Sequence, residues 1–361
     1  MILKSLFGKN FRNFDNFYVE FSDTGNLVFG KNGSGKTNLL EAIHYLSIFK
    51  SFRSYKSHNS IRFNQKGFEL KGGFENNGNK MKIDFTNGFD KKEVVLNEKR
   101  IYRLSDVIGE FPAVLVSPEQ YVITSGPPDA RRRFIDVLLS QIDKDYLHSL
   151  IKYKKILKQR NEALKNPNAK LDSTFISSWD LELAQYCSII LRKRIDSIDK
   201  LNGFSREIYK EISNSSDDLK LSYFSSIRDN QDIESINRSY SKNLKRDIEL
   251  YTTTIGPHRD DIKIELKGKN VKDFASQGEH KTVLLSLKVA EYYLLREVKK
   301  SSPAILMDDM SSMLDKSRLK SFLDLFQNFG QYFITSVEKD DFKPDINGLA
   351  LKINDGNILV N

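Results

Sequence analysis

Gly30-Lys31-Asn32-Gly33-Ser34-Gly35-Lys36-Thr37 is the stretch that decides the fold. It fills every fixed position of the G-x-x-x-x-G-K-[ST] phosphate-binding loop. Leu27-Val28-Phe29 before it reads as a short strand. Residues 38–49 after it have helical spacing, with Leu39, Leu40, Ile43, Leu46 and Ile48 apolar. The chemistry needs these residue types. Glycines let the backbone wrap closely and turn successive N–H groups into an anion nest, and the helix N-terminus adds the positive end of its dipole. Lys36 is expected to neutralise the β- and γ-phosphates and Thr37 to ligate Mg²⁺. Gly30 to Thr37, with Asn38 beside them, are therefore the expected nucleotide site.

Such a loop needs a second acid for the metal, at the end of a buried strand. Ala304-Ile305-Leu306-Met307-Asp308-Asp309 supplies four apolar residues and then two carboxylates. Asp308 is expected to hold Mg²⁺, directly or through water. Asp309 is expected beside the γ-phosphate, where a carboxylate orients and polarises the attacking water. An ordinary strand end capped by acids is the plainer alternative. About 270 residues separate the two motifs, which makes the section between them most simply an insertion between two halves of one nucleotide-binding domain.

The 361 residues suggest about two domains. With 39% hydrophobic and 29% charged residues the chain is globular, neither collagen-like nor largely disordered. The single cysteine, Cys187, excludes an internal disulfide and reads as a small buried hydrophobe. No apolar run approaches the ~20 residues of a membrane span. Lys4, Lys9 and Arg12 interrupt any signal-peptide core, so a cytoplasmic protein is expected.

Lys plus Arg number 57 against 48 Asp plus Glu, a net charge of +9. Residues 1–125 carry 18 basic and 13 acidic residues, 126–249 carry 23 and 19, and 250–361 carry 16 of each. The excess lies in the first two thirds and is sharpest over 144–170. A polyanionic partner is the natural complement. Residues 67–100 alternate between Gly/Asn turns and read as hairpins. Residues 129–250 read as long helices, with breaks near 166–172 and 213–218. After that come a strand at 262–266, a helix at 278–299, the strand at 304–307, a helix at 318–329 and a strand at 332–335.

Further stretches accompany the two motifs: Phe274-Ala275-Ser276-Gln277-Gly278-Glu279-His280, Ile255-Gly256-Pro257-His258-Arg259-Asp260-Asp261, Asn10-Phe11-Arg12-Asn13-Phe14, Arg131-Arg132-Arg133 and Asp308 to Asp315. Together they resemble the RecF family, ABC-type ATPases related to SMC heads, over nearly the whole chain. The resemblance implies an α/β P-loop NTPase head of ABC/SMC type, made of 1–125 with 250–361, and an inserted helical lobe at 126–249. It implies that two subunits close around two ATPs. Each nucleotide would lie between one subunit's P-loop and the other's signature residues Ser276, Gln277 and Gly278, with Asp315 in the D-loop; Arg12 is expected to support the nucleotide rather than DNA. It further implies DNA binding in recombinational repair and replication, slow DNA-stimulated ATP hydrolysis, and work with RecO and RecR to load recombinase at single-stranded gaps.

Two places depart from the family pattern: Met313 stands where it usually has glutamate, and Glu279-His280 where it usually has Gln-Gln. Thr335-Ser336 stands where many ABC proteins carry a histidine, a departure from that superfamily only, since RecF-like chains have hydroxyls there. Glu279 is expected to point away from the phosphate. DNA contacts are expected through phosphates and shape, with Arg53, Lys56, Arg132, Lys152, Lys155 and Lys158 as candidates against a plain role as solvated cations. For Arg259-Asp260-Asp261 the alternative is an internal ion pair between the lobes. Two other functions compete with the ATP-gated DNA clamp: an ATP-binding module without turnover, and a phosphotransferase acting on a small molecule.

Overall fold

In the computed structural model of the chain, described for residues 1–54, 56–88, 91–165, 173–227, 231–310, 322, 329–339 and 348–360, the elements follow in this order. They are β1 (Ile2–Phe11), β2 (Phe14–Glu20), β3 (Gly25–Phe29), α1 (Lys36–Ile48), β4 (Gly67–Asn76), β5 (Asn79–Gly88), β6 (Lys92–Leu96), β7 (Lys99–Ile101) and β8 (Ala113–Val116). Then come α2 (Val122–Ser125), α3 (Pro128–Ile142), α4 (Lys144–Leu164), α5 (Ser173–Ser213), β9 (Leu219–Phe224), α6 (Ile233–Glu249), β10 (Asp261–Leu266), β11 (Lys269–Asn270) and α7 (Val271–Phe274). The chain finishes with α8 (Gln277–Lys299), β12 (Ala304–Met307), β13 (Tyr332–Ser336), β14 (Gly348–Asn354) and β15 (Asn357–Val360). The helix expected at 318–329 lies, apart from Phe322 and Phe329, outside the described residues.

The chain divides into two units. The first comprises Met1–Tyr121, Glu207–Ser216 and Ser276–Asn361, the second Val122–Arg206 and Asp217–Ala275. Residues 250–275, grouped with the head on sequence grounds, fall in the second unit because β10 pairs along its length with β9. That strand was not expected. Leu219-Lys220-Leu221-Ser222-Tyr223-Phe224 buries Leu219 and Leu221 in alternation, a run too short for its period to stand out between helices.

In the first unit, period-two patterning makes the strands. Phe68, Leu70, Gly72 and Phe74 of β4 are buried, while the residues between them are partly exposed. An antiparallel sheet runs β2-β1-β4-β5-β6-β7, and a second runs β15-β14-β3-β13-β12-β8. The second sheet is parallel except for β15. Of its inner strands β12 is a continuous apolar run, and β12 and β3 are buried along their whole length, as strands covered on both faces are. Helix α1 touches strands of both sheets. Its Leu39, Leu40, Ala42, Ile43, Tyr45 and Leu46 join Phe11, Phe68, Phe85, Leu306 and Phe333 in one core. Each such Leu or Phe stabilises by roughly 1.5–3 kcal/mol.

In the second unit, helices carry polar starts. Asp143 caps α4 by accepting from the Tyr146 N–H, Asp232 caps α6 by accepting from the Ser235 N–H, and Pro128 opens α3. The interior holds buried arginines. Arg160 pairs with Asp180 and Asp247, and Arg194 with Asp136.

Candidate nucleotide site

Three strand ends meet at one place. The register pairs Met307 with Ile334, Thr335 with Val28 and Ser336 with Phe29. The residues just beyond β3 and β12 therefore emerge beside the end of β13, at the carboxyl edge of a parallel sheet, where sheets of this kind bind ligands.

Gly30 leaves β3 at φ +153, and a Cβ on it would meet the Ile353 carbonyl oxygen at 2.3 Å. Only glycine fits so close an approach. Gly33 and Gly35 also have positive φ. The loop is pinned from outside by Asn13, whose Nδ2 donates to the Ser34 carbonyl at 2.9 Å and whose Oδ1 accepts from Asn38 Nδ2 at 2.8 Å. The Gly356 N–H also donates to the Ser34 carbonyl, at 3.2 Å. Lys36 Nζ spans the loop, donating to the carbonyls of Gly30 at 2.7 Å and Lys31 at 3.0 Å. Burial lowers its pKa, against the charges of Asp308 and Asp309, which raise it.

Thr37 and Asp308, 271 residues apart, are in direct contact. Thr37 Oγ1 lies 3.0 and 2.8 Å from the two Asp308 carboxylate oxygens. Thr335 Oγ1 donates to Asp308 Oδ1 at 2.7 Å. Burial, together with the negative charges of Glu119 and Asp309, raises the Asp308 pKa, while the two threonine hydroxyls lower it. This is a hydroxyl and a carboxylate, hard oxygen donors, in a place that disfavours uncompensated negative charge. The set suits Mg²⁺, which takes one or two protein ligands and completes its octahedron with phosphate oxygens and water. Among the described residues no cluster of three or more His, Cys, Asp or Glu competes for a metal. Asp309 is exposed at φ +49, and its backbone N–H donates to Thr335 Oγ1 at 2.9 Å.

These groups line a cleft of about 570 Å³ that also includes Arg12, Asn13, Arg53 and Ser336. Arg12 grips Glu41 and donates from Nη1 to the Asn59 carbonyl at 2.6 Å. Arg53, a DNA candidate by sequence, stands in this cleft wall. Its Nη1 donates to Asn38 Oδ1 at 2.9 Å and lies 3.9 Å from Glu41.

Ser276 caps α8. Its Oγ accepts from the Glu279 N–H at 3.2 Å, and Glu279 Oε2 accepts from the Ser276 N–H at 2.8 Å. Glu279, expected to point away from the phosphate position, instead turns its carboxylate back onto the helix start in a capping box, because the free Ser276 N–H needs an acceptor. Ser276 and Gln277 are exposed and Gly278 half-buried. None of the three lines the P-loop cleft. Asp315 and Met313 lie outside the described residues.

The remaining DNA candidates scatter. Lys56, Lys152, Lys155 and Lys158 are exposed, the last three on α4. Arg132 is half-buried and donates to the Asp260 carbonyl at 2.7 Å. Arg131 forms a two-pronged pair with Asp261 at 2.8 and 3.0 Å, within the second unit. The stretch from Gly256 to Asp261 is a structural hub of that unit. His258 Nε2 donates to the Thr253 carbonyl at 3.0 Å, so Nδ1 accepts from the Tyr153 hydroxyl at 2.7 Å. Asp260 accepts from Tyr223 and Ser226.

Three participants escaped the sequence reading: Asn13, Glu41 and the hydroxyl of Thr335. Glu41 left a signal, a charge inside the apolar run Leu39-Leu40-Glu41-Ala42-Ile43. Thr335 left a fainter one, a hydroxyl where many ABC proteins carry a histidine, with nothing in the strand to say which groups it would bond.

A family model described as RecF/RecN/SMC N terminal domain matches residues 2–352. A protein of Streptococcus gordonii named DNA replication and repair protein RecF is 36% identical over 363 residues, covering 99% of this chain and 100% of its own. A Clostridium botulinum protein of the same name is 36% identical over 328 residues, covering 90% of this chain and 89% of its own. Among solved structures, the recombination mediator protein RecF-ATP of the RecFOR pathway matches with TM-score 0.92 at 32% identity, covering 100% of this chain and 97% of that one. The Smc head domain of Pyrococcus furiosus matches with TM-score 0.57 at 17% identity, a likeness of fold alone.

Proposed function

This chain belongs to the RecF family of DNA replication and repair proteins, and on that premise we propose that it is an ATP-gated DNA clamp of recombinational repair. One observation carries the reading. Lys36, Thr37, Asp308 and Asp309, drawn from two ends of the sequence, line a single cleft with the phosphate loop.

Thr37 and Asp308 would hold Mg²⁺, whose charge would offset the phosphate oxygens. Lys36 releases the carbonyls of Gly30 and Lys31 and turns to the β- and γ-phosphates. Asp309 orients the attacking water. Ser276, Gln277 and Gly278 sit outside this cleft, so they act on a second subunit's nucleotide, at a helix N-terminus that takes an anion once the Glu279 carboxylate leaves the Ser276 N–H. ATP then favours the dimer because only the dimer completes both contacts. Slow, DNA-stimulated hydrolysis releases it. Asp315 belongs to the same interface. The exposed Lys152, Lys155 and Lys158 on α4, with Lys56 and Arg132, track DNA phosphates without reading sequence. RecO and RecR are the partners, and loading of recombinase at single-stranded gaps is the outcome. A cytoplasmic location accompanies this reading. Among the described residues no helix is long and apolar enough to cross a membrane.

Light scattering tests it. Mass is measured without nucleotide, with ADP, and with a non-hydrolysable ATP analogue and Mg²⁺, each with and without duplex DNA. The expected result is doubling only with the analogue, lost in Lys36→Ala and in Ser276→Arg. A mass indifferent to nucleotide in every condition sinks the clamp and leaves an ATP-binding module.

A further inference from the structure

Thr335 is fully enclosed at the end of β13, 1% exposed. Its hydroxyl makes two bonds at once. It donates to Asp308 Oδ1 at 2.7 Å and accepts from the Asp309 N–H at 2.9 Å. The first bond fixes the direction of one carboxylate. The second fixes the backbone of the next residue, which stands at φ +49 in the left-handed region that non-glycine residues disfavour. Thr37 also bonds Asp308, but it is drawn towards phosphate and metal when nucleotide is bound. The Thr335 bond comes from a strand inside the sheet, β13, flanked by β3 and β12.

We propose that Thr335 is a positioning residue for ATP hydrolysis, tying the Asp308 carboxylate and the Asp309 backbone into one rigid unit. This rests on the reading above, in which the two acids serve hydrolysis. Displacements of about 1 Å at such groups cost large factors in rate while leaving substrate binding intact.

Two pairs of variants isolate the hydroxyl. Thr335→Val removes it at constant shape, and Thr335→Ala against Thr335→Ser removes it at a constant cavity. Turnover of ATP with Mg²⁺ is expected to fall about ten- to a hundred-fold in Thr335→Val and Thr335→Ala, the scale of a lost hydrogen bond to a charged group. Thr335→Ser is expected within about three-fold of the parent, and binding of a fluorescent ATP analogue without Mg²⁺ within about two-fold in all three. Parent turnover in Thr335→Val, or an equal fall in Thr335→Ser and Thr335→Ala, overturns the proposal. If Thr335→Val folds poorly, the Ser and Ala pair decides alone. Asp309→Asn run alongside separates the two readings. Parent turnover there removes the acid-pair premise, and this proposal with it. A loss there with none in Thr335→Val overturns the role of Thr335 only.

Discussion

Arg12 holds Glu41 with two parallel bonds, Nε to Oε2 at 2.9 Å and Nη2 to Oε1 at 2.7 Å. The arginine sits in the turn after β1 at φ +54, and the glutamate is fully buried in α1, directly after the phosphate loop. Glu41 Oε1 also accepts from the hydroxyls of Ser51 at 2.5 Å and Ser60 at 3.4 Å. One carboxylate thus gathers the β1–β2 turn and the segment after α1 around the helix that carries Lys36 and Thr37.

Glu41→Ala is therefore expected to destabilise the protein severely, because it removes the counter-charge of the Arg12 guanidinium and leaves a cavity where the carboxylate was. Breaking a buried ion pair from one side costs about 3–5 kcal/mol. Urea unfolding should show a lower midpoint with an unchanged slope. A midpoint equal to the parent's would mean that Arg12 and Glu41 contribute nothing net.

On α4, Arg160 and Lys158 make opposite predictions. Arg160 is wholly buried, bonded to Asp180 at 2.8 Å, to Asp247 at 2.7 Å and to Thr253 Oγ1 at 2.8 Å. Arg160→Met leaves two buried carboxylates unpaired and should cost about 3–5 kcal/mol. Lys158 is 79% exposed and lies 3.7 Å from Glu162, one turn along. Lys158→Ala should cost under about 0.5 kcal/mol, while weakening DNA binding with a shallower salt dependence. Thermal unfolding and a salt titration of DNA binding check the two halves.

His258 sets a pH dependence of stability. Burial pushes its pKa down from 6.5 to about 4, so the folded state refuses a proton that the unfolded state accepts. Its contribution is complete above pH 6.5 and is lost as pH falls from there towards 4. Between about pH 7.5 and about pH 5 the parent should lose about 2 kcal/mol that His258→Asn does not lose. Denaturant unfolding at both pH values measures this. Parallel losses in parent and variant would remove His258 as the source.

The phosphate loop could be read from the sequence because its requirements are local: glycines, a lysine and a threonine at fixed spacing between a strand and a helix. The same holds for the acids after Met307, since four apolar residues followed by two carboxylates announce a buried strand that ends at a polar site. Arg53 shows the limit. Between aromatics after α1 it looks like a surface cation, yet its partner Asn38 is 15 residues away, at a distance that no period encodes. The strand at 219–224 was hidden for the same reason, since its identity lies in its pairing with Asp261–Leu266.

The sequence by itself determined the kind of molecule, an α/β P-loop protein, because the backbone geometry of a phosphate loop and the period of buried strands depend on near neighbours; its RecF type rested on the resemblance of Ser276-Gln277-Gly278 and Gly256 to Asp261 to that family. Only the tertiary structure decided what surrounds those motifs. Asn13 locks the loop, Glu41 is consumed by Arg12, and Thr335 links the two acids. Each is a bond between polar groups whose pairing is set by where the chain returns in space, and a side chain's sequence neighbours do not record which distant donor it will meet when water is excluded.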